Sequence, residues 1–260
     1  MELIDTHSHL TFDPLFADVE NVLQRSRDAS VTSWITVGTD PDHNKKAVAL
    51  ASRFDNLYAA VGIHPHYAKS ITAQSITALR QIAQSEKVVA VGETGLDYHY
   101  NFSAHTDQQR LFIEHLNIAR ECNLPVIIHS RNAFDETIDV LDRYASDLRK
   151  IVFHCFSGTA EQVKTVLAKG FYISFTGVVT FKNADVAREA ARITSLDRLM
   201  IETDCPYMSP EPMRKQKINE PALMIHTAKS IAELKKISFE SFADAISETT
   251  RSFFNLPAKS

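Results

Sequence analysis

LIDTHSHL, Leu3 to Leu10, is the stretch on which the reading of this chain turns. A short apolar run ends in two histidines, His7 and His9, two residues apart. In an extended segment alternate side chains share a face, so both rings project to one side and can grip one ion. An open dinucleotide-binding sheet would place a glycine-rich turn after its first strand. Here that turn is occupied by THSHL, and the dinucleotide reading fails at its first test.

Outward from this segment, further short β-branched-rich runs follow: SWITVG from Ser33, YAAVGIH from Tyr58, KVVAVGE from Lys87 and PVIIH from Pro125. KIVFHCF from Lys150, FYISFTG from Phe171 and RLMIETD from Arg198 complete the set. With LID they make eight candidate strands. Helical patterns lie between them: Asp18 to Ala29, Asp42 to Phe54, Thr106 to Cys122, Ala133 to Tyr144, Glu161 to Ala168 and Asp185 to Ile193. The tail from Pro221 to Phe254 reads as two closing helices. Such alternation implies parallel strands and right-handed crossovers, and eight of them favour an α/β fold closed as a (β/α)8 TIM barrel. The 260 residues suit one such domain over residues 1–260, with no linker or repeat to divide them.

Composition narrows the function classes. Hydrophobic residues are 44% and charged residues 23% of the chain, as in an ordinary globular protein. No basic leader or bilayer-length apolar run is present, so a cytoplasmic location away from membranes is expected. Cys122, Cys155 and Cys205 form no CxxC pair, and reduced, mostly buried thiols are expected rather than a disulfide framework or zinc ribbon. A net charge of −4, with cations scattered along the chain, provides no long-range attraction for nucleic acid. Any phosphate must therefore meet local charge, and its salt dependence should be shallow.

The histidines and acids fall at strand ends. Glu93 closes the fourth expected strand, His129 the fifth, His154 stands at the end of the sixth and Asp204 follows the eighth. With His7 and His9, five strands then end in metal-binding side chains, and a barrel brings such ends to one face. Four imidazoles and two carboxylates exceed the needs of one tetrahedral ion, and a carboxylate such as Glu93 can bridge, so two divalent ions are expected. Such a pair activates a shared water and stabilises attacking and leaving oxygens. Glu93 and Asp204 are the expected catalytic carboxylates, Asp204 being the nearest acceptor of the nucleophile's proton. His64, Asp97, Arg131, Lys182 and Arg214 are expected substrate contacts, whereas His66 and His99 read equally as phosphate contacts or as solvated loop residues. Nitrogen-rich ligation suits zinc, and phosphate substrates suit magnesium or manganese.

These segments together resemble the TatD family of metal-dependent deoxyribonucleases. The resemblance is carried by IDTHSHL, VGIHPH at Val61 to His66, VGETGLDYHY at Val91 to Tyr100 and PVIIHSR at Pro125 to Arg131. FHCFSG at Phe153 to Gly158, GFYISFTGVVTFKN at Gly170 to Asn183 and ETDCPY at Glu202 to Tyr207 carry it further. It implies that His7, His9 and Asp204 serve one ion, His129 and His154 the other, and Glu93 both. It also implies 3′ to 5′ exonuclease or related phosphodiesterase activity on DNA, usually single-stranded, with magnesium, manganese or zinc. A monomer is the expected state. Two departures stand out: Cys205 where the family usually has Ser, and an altered stretch through KINEP at Lys217 to Pro221, with Arg214 matching an Arg of the family pattern. Hydrolysis of another ester or amide, such as a misacylated transfer RNA, is the enzymatic alternative. A metal-stabilised scaffold without turnover would lack a ligand or close its coordination shell, and all six ligands are present.

Overall fold

The computed structural model describes residues 2–145, 147–148 and 150–258. Its strands are β1 (Leu3–Ser8), β2 (Val31–Val37), β3 (Leu57–Val61), β4 (Val88–Asp97), β5 (Val126–Arg131), β6 (Ile151–Phe153), β7 (Tyr172–Phe175) and β8 (Leu199–Ile201). They form one eight-stranded parallel sheet in the order β1 to β8. Helices α1 (Val19–Asp28), α2 (Pro41–Ala51), α3 (Ala73–Ile82), α4 (His105–Cys122), α5 (Phe134–Tyr144), α6 (Ala160–Ala168) and α7 (Asp185–Ile193) alternate with them. Helices α8 (Met224–Lys235) and α9 (Phe239–Phe254) follow β8. This is the (β/α)8 barrel fold. Its strands read as near-continuous apolar runs because both faces of such a sheet are covered. Among the described residues no helix is long and apolar enough to cross a membrane.

Two compact units make up the chain, residues 2–36 with 155–258 and residues 37–154. In the first, the segment beyond β8 runs beside β1: the Asp204 amide donates to the His7 carbonyl and the His9 amide to the Cys205 carbonyl, each at 2.9 Å. The buried Asp5 carboxyl joins the same seam, accepting from the Thr203 amide at 3.0 Å and the Thr203 hydroxyl at 2.6 Å. Trp34 of β2 is fully buried and donates its indole N–H to Ser26 of α1 at 2.8 Å, so it meets the rule that a buried polar group keeps a partner.

In the second unit, side chains of α2 and α4 hold the exits of β3 and β4. Asn44 of α2 accepts from the Gly62 amide at 3.0 Å and donates to the Gly62 carbonyl at 2.8 Å. Gln108 of α4 does the same for Asp97, at 2.8 and 3.0 Å. His115, fully buried on α4, accepts the Ile63 amide on Nε2 at 2.9 Å, with Nδ1 2.8 Å from the Leu111 carbonyl. Backbone groups leaving a strand here meet side chains instead of water.

Several boundaries differ from the sequence expectation. Strand β4 does not close at Glu93 but pairs onward with β5 as far as Asp97, Gly95 facing His129 across the ladder. Gly95 has φ of +134°, and a Cβ there would lie 2.1 Å from the His129 carbonyl oxygen. Only glycine admits that approach. Strand β5 likewise continues past His129 to Arg131, whereas β3 stops at Val61, three residues before His64. Helix α3 was not among the expected helices: among its residues only Leu79 is fully buried, which leaves little apolar periodicity to read. Its start is fixed by a capping box between Thr72 and Ser75. Cys205 is buried as expected, and Cys122 and Cys155 are half-buried.

Candidate functional site

In the first unit, His7 stands near the end of β1 and His9 just beyond it, on the same side as their alternation requires. Their Nε2 atoms are 3.3 Å apart. Asp204, brought alongside by the seam with β1, places Oδ1 3.3 Å from His9 Nε2 and 3.8 Å from His7 Nε2. All three residues are buried. Two imidazole nitrogens and a carboxylate oxygen thus converge within 4.8 Å of one another, a nitrogen and oxygen donor set that fits a divalent transition ion or zinc. Beneath them Asp5 has its carboxyl raised to about 7: burial dominates, and the Thr203 and His7 hydrogen bonds oppose it.

The second unit holds a denser group. Glu93 Oε1 lies 2.8 Å from His129 Nδ1, 2.8 Å from His154 Nε2 and 3.5 Å from His64 Nε2. On its other edge His129 presents Nε2 3.0 Å from Asp97 Oδ2. When Nε2 carries the proton and donates it to Asp97, Nδ1 keeps a lone pair directed toward Glu93, where an ion would sit. Asp97 has no exposed surface; its Oδ2 also lies 2.9 Å from His66 Nε2, and its Oδ1 accepts the His99 and Tyr100 amides at 3.0 Å.

The electrostatics follow this network. Burial disfavours the Glu93 carboxylate, but the charges of His154 and His64 and the hydrogen bonds of His129 and His154 outweigh it and hold the carboxyl well below its usual range. Asp97 is lowered in the same way, burial being outweighed by His129, the Tyr100 amide and His66. His129 is raised, because the hydrogen bonds to Asp97 and Glu93 overcome its desolvation. His64 moves the opposite way, to about 4, since burial exceeds the attraction of Glu93. Its Nδ1 accepts the His66 amide at 3.2 Å, so the neutral ring carries its proton on Nε2.

The expected substrate contacts divide. Asp97, an expected substrate contact, has no exposed surface, and its oxygens are taken up by His129, His66 and two backbone amides. His66 is half-buried, with Nε2 2.9 Å from Asp97 Oδ2. His99 is exposed. In the second unit Arg131 is exposed, its guanidinium 4.8 Å from the centre of the Tyr100 ring. In the first, Lys182 and Arg214 are exposed, Arg214 lying 3.6 Å over the Phe181 ring. Asp5 went unremarked in the sequence although it shares the alternation of His7 and His9. Glu202, which accepts the Cys155 amide at 2.5 Å, is a further buried acid beside the first group.

Residues 4–255 match the family model described as TatD related DNase. A Bacillus subtilis protein named uncharacterized metal-dependent hydrolase YabD is 37% identical over 254 residues, covering 98% of this chain and 99% of that protein. A Pantoea ananatis protein named 3′-5′ ssDNA/RNA exonuclease TatD is 34% identical over 259 residues, covering 98% of this chain and all of that one. Among solved structures, the Escherichia coli TatD homologue YJJV superposes with a TM-score of 0.92 at 33% identity, over 98% of each chain.

Proposed function

Since the chain belongs to the TatD-related DNase family of metal-dependent hydrolases, we propose that it cleaves phosphodiester bonds of DNA, releasing nucleotides from the 3′ end of single strands. The observation that carries this reading is the pair of ligand groups: His7, His9 and Asp204 in one unit, Glu93, His129 and His154 in the other. The likeness to the Pantoea exonuclease supports the choice of substrate.

In this reading His7, His9 and Asp204 would hold one divalent ion and His129 and His154 a second, with Glu93 a further ligand by the family pattern. Ions held there would acidify a water and neutralise charge on a phosphodiester. The protein's own groups do the rest. Asp97 keeps the proton on His129 Nε2, so that Nδ1 remains a ligand. Asp204 takes up the proton of the attacking water on its carboxylate. His64, neutral and protonated on Nε2, donates to a phosphate oxygen without adding a second charge beside Glu93. Arg131, Lys182 and Arg214 provide the exposed cations for neighbouring phosphates.

The test is release of nucleotides from 3′-labelled and 5′-labelled single-stranded DNA by metal-stripped protein, resupplied separately with magnesium, manganese and zinc, beside Asp204→Asn. The expected result is metal-restored release from the 3′ end that the variant lacks. No release with any ion would move the substrate to another ester or amide.

A further inference from the structure

Two aromatic side chains beside the second ligand group stand where a folded core has no use for them. Tyr100 is 41% and Phe102 52% exposed, yet their rings stack on each other at 5.3 Å and 17°. His66 packs edge-on against both, at 5.5 and 4.8 Å. The Arg131 guanidinium covers Tyr100 at 4.8 Å, a cation held against a π-face.

This pair is fixed in place. Asp97 accepts the Tyr100 amide, and Ser103 on the far side accepts the Lys69 amide at 3.0 Å and donates to the His66 carbonyl at 2.8 Å. Gln108 donates to the Ser103 carbonyl at 3.0 Å. The short segment from Asp97 to Ser103 is therefore clamped at both ends, and little freedom remains to be lost when a ligand lands on it. The same Asp97 that orients His129 sets the position of Tyr100. His66, which touches both rings, has its own ring centre 6.5 Å from that of His129.

We propose that Tyr100 and Phe102 form a stacking platform for a nucleobase of the single strand, with Arg131 beside it to meet the adjoining phosphate. The inference rests on the phosphodiesterase reading of the ligand groups and adds to it the feature that selects unpaired bases. Exposed, preorganised aromatic side chains beside a cation are what sequence-tolerant single-strand binding uses, because every base has a π-face while a paired base has both of its faces stacked within the duplex.

The experiment compares binding of labelled oligothymidylate and of an abasic oligomer of the same length to the full-length protein by fluorescence anisotropy. The proteins are wild type, Tyr100→Ala/Phe102→Ala, and the ring-preserving exchange Tyr100→Phe/Phe102→Tyr. Wild type is expected to prefer oligothymidylate by about ten-fold or more, the alanine pair to lose that preference while binding the abasic strand as wild type does, and the exchange to retain it. Equal binding of both strands by wild type, or an unchanged preference in the alanine pair, overturns the platform and leaves the phosphodiesterase reading standing if DNA is still cleaved. Absence of both binding and cleavage overturns the two together.

Discussion

Asp97 Oδ2 and His129 Nε2 lie 3.0 Å apart, so the face of His129 away from Glu93 is held by a buried carboxylate. On the other side of the ring Nδ1 lies 2.8 Å from Glu93 Oε1, and with a proton held on Nε2 by Asp97 this nitrogen would offer its lone pair to an ion. Asp97 comes from β4 and His129 from β5, so their relation depends on the ladder between those strands beyond Glu93.

Asp97→Asn removes the charge and can present an amide N–H to His129. The variant is expected to fold, because the amide oxygen still accepts the His99 and Tyr100 backbone groups. Its affinity for divalent metal should fall by roughly ten- to a hundred-fold, the usual effect of losing an outer carboxylate partner. Metal titration by calorimetry reads this directly, and an unchanged affinity would remove Asp97 from its positioning role.

His7→Ala with His9→Ala takes two nitrogen donors from the first unit and none from the second. Activity should vanish while the fold persists, since ligands of this kind stand at strand ends rather than in the apolar core. Elemental analysis should find fewer bound ions per chain, and circular dichroism an unaltered spectrum. Unfolding of this variant at ordinary temperature would make the histidines structural.

Much of this arrangement is legible in the sequence for a physical reason. Strands covered on both faces become unbroken apolar runs, and the side chains that follow each run are those at the strand's C-terminal end. His7, His9, Glu93, His129, His154 and Asp204 are singled out by that rule, although β4 and β5 run on past Glu93 and His129. The positioning of His129 is not legible in this way, because it depends on pairs distant in the chain: His66 meets Asp97 across 31 residues, and a loop histidine carries no mark of its partner. The onward run of β4 was hidden by its composition, since ETGLD combines glycine and carboxylates that disfavour a strand when read locally. Helix α3 escaped because its surface, not its core contact, dominates its sequence.

Gly95→Ala tests the approach of β4 to β5. The new Cβ would fall 2.1 Å from the His129 carbonyl oxygen, on a backbone whose φ of +134° side chains rarely adopt. A loss of about 3 kcal/mol or more is expected from overpacking and strain together. Gly170→Ala is the control: it meets nothing within 4 Å and carries only a φ of +75°, so roughly 1 kcal/mol is expected. Urea denaturation of the two variants should separate them clearly, and equal losses would mean that backbone crowding at Gly95 is relieved by other movement.

His115 should make stability depend on pH in a defined direction. Burial lowers its folded-state value from 6.5 to about 4, the Leu111 carbonyl offsetting this only in part, and the neutral ring uses both nitrogens in hydrogen bonds. The folded protein therefore refuses a proton that the unfolded chain accepts below pH 6.5. Stability is fully present above that pH, declines as the pH falls toward 4, and declines no further from this group below it. The loss between pH 7 and pH 4.5 should be roughly 2 kcal/mol from this residue. His115→Gln keeps an acceptor for the Ile63 amide and cannot titrate, so its urea midpoint should fall less steeply over that range than that of wild type. Parallel decline of the two proteins would show that the proton uptake driving acid unfolding lies at other groups.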